Sequence, residues 1–185
     1  YVAALQAMNF TAEGVDWGLK TVEAVKRLNP DLPIRAGDIT HLDAPDGYYK
    51  AYISLGVMEH CKEGPGLFLK EAYRVLMPDG VVLISIPWFH GLRRLKAKLG
   101  LYRGNTQGKD FYQYAYAAEE FENLLSTHGF EVVDHQCYDA LKGIKDEIPF
   151  VRWALQKDRL RWRVERWIGK WQWAQRNLGH MILFV

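Results

Sequence analysis

Apolar spacing changes several times along this chain, and each change marks an element. Val2, Ala3, Ala4, Leu5 and Ala7 already follow helical spacing, so a helix ending by about Asn9 is expected, together with a segment upstream of Tyr1. Residues 12–16 predict a short strand closing on Asp16. A helix from Gly18 follows, with Leu19, Val22, Ala24, Val25 and Leu28 on one face and Asn29-Pro30 as its stop. Residues 33–36 read as the next short strand. Residues 49–55, rich in aromatic and β-branched side chains, read as a buried one. An amphipathic helix over 64–76 presents Leu67, Phe68, Ala72, Val75 and Leu76 and breaks at Pro78-Asp79-Gly80. The nearly continuous apolar run 81–86 has the pattern of a strand covered on both faces. A helix over 117–128 capped by Gly129, a strand over 130–138 and a strand-like end over 179–185 complete the series.

Strand, helix, strand, strand, helix, strand with short turns is the order of an open α/β sheet. Residues 88–116 and 139–177 depart from it and read as insertions at the ligand edge, the first carrying the basic run 93–98 and the polar stretch from Arg103 to Asp110, the second helical and basic. With 185 residues, the chain suits one domain over 1–185, incomplete at its N-terminus.

Twenty-four Lys and Arg against 22 Asp and Glu leave a net charge of +2, which argues against a nucleic-acid field over the whole surface. Cys61 and Cys137 lack zinc or disulfide spacing and suit a reducing compartment, so a cytoplasmic location is expected. No apolar run approaches the roughly 18 residues that would span a bilayer.

Ligands of a doubly wound sheet sit beyond the carboxyl ends of its strands. Asp16 falls there, where a carboxylate can accept both hydroxyls of a ribose or, alternatively, cap the following helix. Trp17 could stack on an adenine or cover the sheet. Asp38 follows the next strand, where it could accept from an adenine amino group while Ile39 packs on the ring; an ordinary turn residue is the other reading. His90 and His135 lack metal-like spacing and read as structural, and no metal is expected.

Gly37-Asp38-Ile39, residues 49–60, Arg74-Val75-Leu76-Met77-Pro78-Asp79-Gly80 and residues 81–87 together closely resemble class I S-adenosylmethionine (SAM) dependent methyltransferases of the ubiquinone-biosynthesis type. The resemblance is dense over 14–87 and resumes at 121–133 and 179–183. It implies a Rossmann-like doubly wound α/β sheet with an antiparallel last strand. It also implies that the first, central strand and its glycine-rich turn are missing here, with helical insertions after the fifth strand and before the last. By the same resemblance SAM is the cofactor, Asp16 holds its ribose, Asp38 and Ile39 hold adenine, and Leu55, Gly56 and Val57 lie along the methionine part. Two unpaired inner strand edges and weak SAM binding by the isolated chain are then expected.

Methyl transfer needs mainly alignment of the acceptor. For a hydroxyl acceptor a base helps, and His60 is the candidate because an imidazole can accept a proton near neutrality. Glu59-His60 could instead shape the pocket or cap a helix. Tyr112, Tyr114 and Tyr116 could line the acceptor site or pack an extended segment, so the acceptor pocket is read as Glu59, His60, Tyr112 and Tyr114. The acceptor is expected to be a small molecule or a lipid- or saccharide-linked one. The alternatives are a nicotinamide-dependent oxidoreductase, whose final strand would be parallel, and a non-catalytic module.

Between Val151 and His180 stand eight Lys or Arg residues against Asp158 and Glu165, with Trp153, Trp162, Trp167, Trp171 and Trp173. On a helix Leu160, Val164, Trp167, Ile168 and Trp171 share one face beside Arg159, Arg163, Arg166 and Lys170. This face could pack on the domain, cover the acceptor as a lid, or touch a membrane surface through 151–175. Nucleic acid is not expected as a partner, since these aromatic residues lie among helical core positions. The sequence assigns no oligomeric state.

Overall fold

A computed structural model describes residues 1–101, 111–154 and 158–185; the polar stretch from Arg103 to Asp110 and the side chains of Arg159 and Leu160 lie outside the described residues. In chain order the elements are α1 (Val2–Ala7), β1 (Gly14–Asp16), α2 (Leu19–Leu28), β2 (Ile34–Ala36), β3 (Tyr49–Leu55), a 3-10 turn (Met58–His60), α3 (Gly66–Val75) and β4 (Leu76–Pro87). Then come α4 (Gly91–Lys98), α5 (Ala118–Thr127), β5 (His135–Tyr138), α6 (Ala140–Glu147), α7 (Pro149–Ala154), α8 (Asp158–Gly169), α9 (Gln172–Leu178) and β6 (Met181–Phe184).

β1 and β2 pair in parallel, and β3, β4, β6 and β5 form a second sheet in that order. β3 and β4 are parallel, while β6 runs antiparallel to both its neighbours. The antiparallel last strand agrees with the expected fold and departs from the parallel one expected of a nicotinamide-dependent oxidoreductase. Among the described strands β1 pairs only with β2 and β3 only with β4, so each keeps one edge without a ladder partner.

The core forms where helical and strand periodicities meet. Phe68, Leu69, Ala72 and Val75 line the inner face of α3, and Phe121 and Leu125, four apart, do so on α5. They close on Ile84 and Ile86 of β4 and on Ile182 and Phe184 of β6, all fully buried. Phe121 lies 5.3 Å from both Tyr116 and Phe184. Gly129, at φ +90°, ends α5 where a Cβ would stand 2.6 Å from Tyr73.

Three boundaries differ from the sequence reading. The turn expected at Pro78-Asp79-Gly80 is absorbed into β4 as a bulge: Leu76 pairs with Tyr49 and Val81 with Ala51, and Asp79 takes φ +62°. The strand expected over 130–138 shortens to His135–Tyr138, because the amides of Val133 and Asp134 donate to the carbonyl of Val185 outside the ladder. The basic helical insertion is divided among α6 to α9. It gathers around a small second core of Ala140, Leu141, Ile168 and Ala174.

Candidate functional site

The parallel pairing of β1 with β2 brings two acidic strand tips together. Asp16 lies opposite Ala36, and its carbonyl accepts from the Gly37 amide at 3.0 Å, so Asp16 and the Asp38 turn are stapled side by side. Asp16 Oδ1 accepts from the Gly18 amide at 2.7 Å, in front of α2. This is a turn bond to the residue that itself begins α2, whose N-cap is Gly18 with no side-chain cap, so Asp16 does not cap the helix. Asp38 Oδ1 accepts from the Thr40 amide at 2.8 Å and the Thr40 hydroxyl at 2.7 Å, which holds its carboxyl below the ordinary carboxylate range. Ile39 packs against the main core. Trp17, 79% exposed, stands free beside Asp16 and does not cover the sheet.

The turn after β3 carries Glu59 and His60. Gly56 follows β3 at φ +69°, a conformation that an L side chain rarely adopts, and its amide donates to the Ser85 carbonyl at 3.0 Å. A Cβ there would stand 3.4 Å from Glu59 Oε1 and 3.7 Å from the Met181 methyl. Leu55 is half-buried and Val57 partly exposed at the same tip. The 3-10 turn then buries Met58 and Glu59 while leaving His60 partly exposed.

Glu59 is 2% exposed and its Oε2 has no partner. Burial pushes its carboxyl pKa up, partly offset by its own backbone and by His60. His60 Nδ1 lies 2.9 Å from the Tyr112 carbonyl. A carbonyl can only accept, so Nδ1 carries the proton and neutral His60 keeps its lone pair on Nε2, 4.0 Å from Glu59 Oε1.

Segment 111–116 folds back over this turn. The Tyr114 amide donates to the Glu59 carbonyl at 2.9 Å and its hydroxyl to the Lys62 carbonyl at 2.9 Å. The Tyr112 ring meets His60 edge-on at 5.3 Å. Glu59, His60, Tyr112 and Tyr114 are thus brought together. Tyr116 adjoins this cluster through the Tyr114 ring at 5.8 Å but is itself buried in the core, which pushes its phenol up to about 12.

Two neighbours of the site escape a reading of the sequence. Ser85, 1% exposed with an unpartnered hydroxyl, sits in an otherwise apolar strand, and that lone polar residue is the only sequence signal for it. Met181 arrives from the far end of the chain and carries no signal at all. His90 is fully buried and His180 nearly so, in agreement with a structural role for His90, while His135 faces Glu122 at 3.3 Å on the surface. Among the described residues no group of three or more His, Cys, Asp or Glu lies together as a metal site. An open depression of about 640 Å3 lined by residues 41–45 and Arg74 lies beside the start of β3, at the opposite end of that strand from Leu55.

Residues 1–84 match the family model described as a methyltransferase domain. A Mycolicibacterium smegmatis protein named "Probable S-adenosylmethionine-dependent methyltransferase" is 33% identical over 121 residues, covering 65% of this chain and 44% of that protein. The chain therefore spans less than half the length of this curated relative. A SAM-dependent methyltransferase of Archaeoglobus fulgidus superposes with a TM-score of 0.61 at 14% identity, over 98% of this chain and 78% of that one. One of Methanosarcina mazei does so with a TM-score of 0.61 at 13% identity, over 74% and 77%. At such identities these two structures speak for the fold alone. Residues 1–84 of the chain are thus similar to a methyltransferase domain, and the chain is built on the fold that these SAM-dependent methyltransferase structures share.

Proposed function

We propose that the protein containing this chain transfers the methyl group of SAM to a hydroxyl of a small-molecule or lipid- or saccharide-linked acceptor. The observation that carries the reading is the stapling of Asp16 to the Asp38 turn by the β1–β2 register, supported by the turn after β3 that gathers Gly56, Glu59 and His60. The donor set suits the adenosine half of SAM. Asp16 Oδ2 accepts from the ribose, the Asp38 turn and Ile39 meet the adenine, Trp17 is free to stack on it, and the methionine part runs along Leu55, Gly56 and Val57.

When bound, SAM supplies a sulfonium whose departing sulfur keeps the electron pair of the broken bond, which leaves the protein alignment and proton removal. His60 takes the acceptor's hydroxyl proton on Nε2, with its ring held by the Tyr112 carbonyl. Glu59, its carboxyl pushed up by burial, backs the His60 ring, with Oε1 4.0 Å from Nε2. Tyr112 and Tyr114 form the acceptor wall. The free thiols of Cys61 and Cys137 suit a reducing compartment such as the cytoplasm.

Thermal unfolding of the full-length protein with SAM, S-adenosylhomocysteine or NAD tests this reading. SAM and S-adenosylhomocysteine should raise the midpoint and NAD should not. Stabilisation by NAD alone overturns the assignment. The chain by itself, with one free edge on each of β1 and β3, should bind SAM weakly; a micromolar affinity measured by calorimetry would contradict that.

A further inference from the structure

The exposed aromatic and basic face of α7 to α9 is built for a surface other than this domain. Val164 and Ile168 turn α8 inward onto the small core around Leu141. At 100° per residue, Trp162, Arg166, Arg163 and Trp167 then fall in sequence around its outer side. All four are exposed, which revises the expectation that Trp167 and Trp171 pack with Val164 and Ile168. Trp153, Trp162, Trp167, Trp171 and Trp173 are 47–66% exposed, and Phe150, 5.9 Å from Trp153, is exposed as well. Three of the rings form a contiguous run. Trp167 lies 5.5 Å from Trp171, Trp171 stacks on Trp173 at 5.3 Å, and the Arg166 guanidinium sits 5.4 Å over Trp162. Over residues 162–176 the charged side chains are Arg163, Arg166, Lys170 and Arg176 against Glu165.

From this geometry we infer that the α7–α9 face docks on an anionic lipid bilayer, with the indoles at headgroup depth and the guanidiniums on lipid phosphates. Indoles with apolar bodies and polar N–H groups favour that interface, and the basic side chains between them match its negative charge. A protein partner would leave these cations in the middle of a contact, where charged residues are depleted. A nucleic acid would need free ring faces, and Trp171 and Trp173 already cover one another. No helix among the described residues is long and apolar enough to cross a membrane, so contact here is superficial. The face is also joined to the site: α9 runs through Gly179 and His180 into β6, whose first residue, Met181, reaches Gly56. The inference stands whether or not the protein transfers methyl groups.

Flotation of the full-length protein with vesicles of phosphatidylcholine alone, or with about one third phosphatidylglycerol, tests it. Binding to the anionic vesicles only, weakening with salt, is expected. Trp162→Ala with Trp167→Ala should weaken it roughly tenfold or more. Arg163→Gln with Arg166→Gln should weaken it roughly fivefold per charge, and the matching Lys pair should retain it. Arg27→Gln on α2 should change nothing, and unchanged unfolding midpoints establish that all variants are folded. Quenching of tryptophan fluorescence by brominated lipid gives an independent reading of indole depth. The inference is overturned if the protein does not float, if the tryptophan variant floats like wild type, or if the same side chains instead govern self-association or binding of single-stranded RNA.

Discussion

Acidification should expose how much stability depends on keeping His90 uncharged. His90 caps the start of α4 with no exposed surface, and neither ring nitrogen has a partner. Burial, then the positive charge of Arg93, pulls its pKa from 6.5 to about 4. The folded value lies below the unfolded one, so between them the unfolded chain binds more protons. Stability is therefore complete above about pH 6.5, falls as the pH drops toward about 4, and levels off below that. The gap corresponds to up to about 3 kcal/mol. Arg93, Lys96, Glu147 and His180 all act on this ring, and His180, itself lowered chiefly by burial, adds a loss of the same sign. Carboxylates held low, such as Asp38 and Glu71, lose stability in acid too, so the comparison must be with a variant. His90→Leu removes the unpartnered imidazole and should cost little at neutral pH. Denaturant unfolding from about pH 7.5 to about pH 4 should give a shallower loss for the variant, which becomes the more stable protein at the acid end. Equal losses in both proteins would refute the reasoning.

Asp16→Asn keeps an oxygen for the Gly18 amide and should leave the unfolding midpoint nearly unchanged, yet lower SAM affinity of the full-length protein about tenfold or more by calorimetry. When the ring is neutral, nitrogen chemical shifts of His60 should report the proton on Nδ1; an Nε2–H tautomer would break the proposed base. Gly143→Ala places a Cβ 2.0 Å from the Leu178 carbonyl oxygen, so α6 or residues 178–180 must move. A loss of about 3 kcal/mol is expected from denaturant midpoints.

What the sequence made legible was local. β3 occupies the expected residues because an aromatic and β-branched run permits few alternatives, but it is not the buried strand expected: only Ser54 is buried, and among the described strands β3 pairs with β4 alone. Asp16 and Asp38 stand out as carboxylates closing short strands. The register that staples them came from the pairing of β1 with β2. Ser85 and Met181 reach the site over long sequence distances that no local pattern records. Helical spacing grouped Trp167 and Trp171 with Val164 and Ile168, but Trp171 lies past the end of α8 and the inner stripe is only as wide as the small core it meets. Tyr112, Tyr114 and Tyr116 share one side of an extended segment, and what separates them is their neighbour: Tyr116 reaches the core at Phe121, while Tyr112 and Tyr114 lie against the Glu59–His60 turn.

The two insertions behave as one unit because a buried polar cluster joins them. Arg93 of α4 reaches Glu147 of α6 at 2.9 Å and the Trp88 carbonyl at 2.8 Å, and Lys96 reaches Glu147 at 2.7 Å. His180 Nε2 lies 2.8 Å from Lys142 Nζ, and its Nδ1 lies 3.2 Å from Asp146. An ammonium only donates and a carboxylate accepts, so the neutral ring carries its proton on Nδ1, donating to Asp146 and accepting from Lys142. Arg93, 3.1 Å from the same Nδ1, then contributes its charge there rather than a hydrogen bond, in agreement with the lowered pKa of His180. This fixes the residue immediately before Met181. A displacement of α6 or α9 must break charged contacts buried beneath the insertions before it can move Met181 away from Gly56. The insertion helices α4 and α6 are therefore tied through one polar cluster to His180, the residue before Met181.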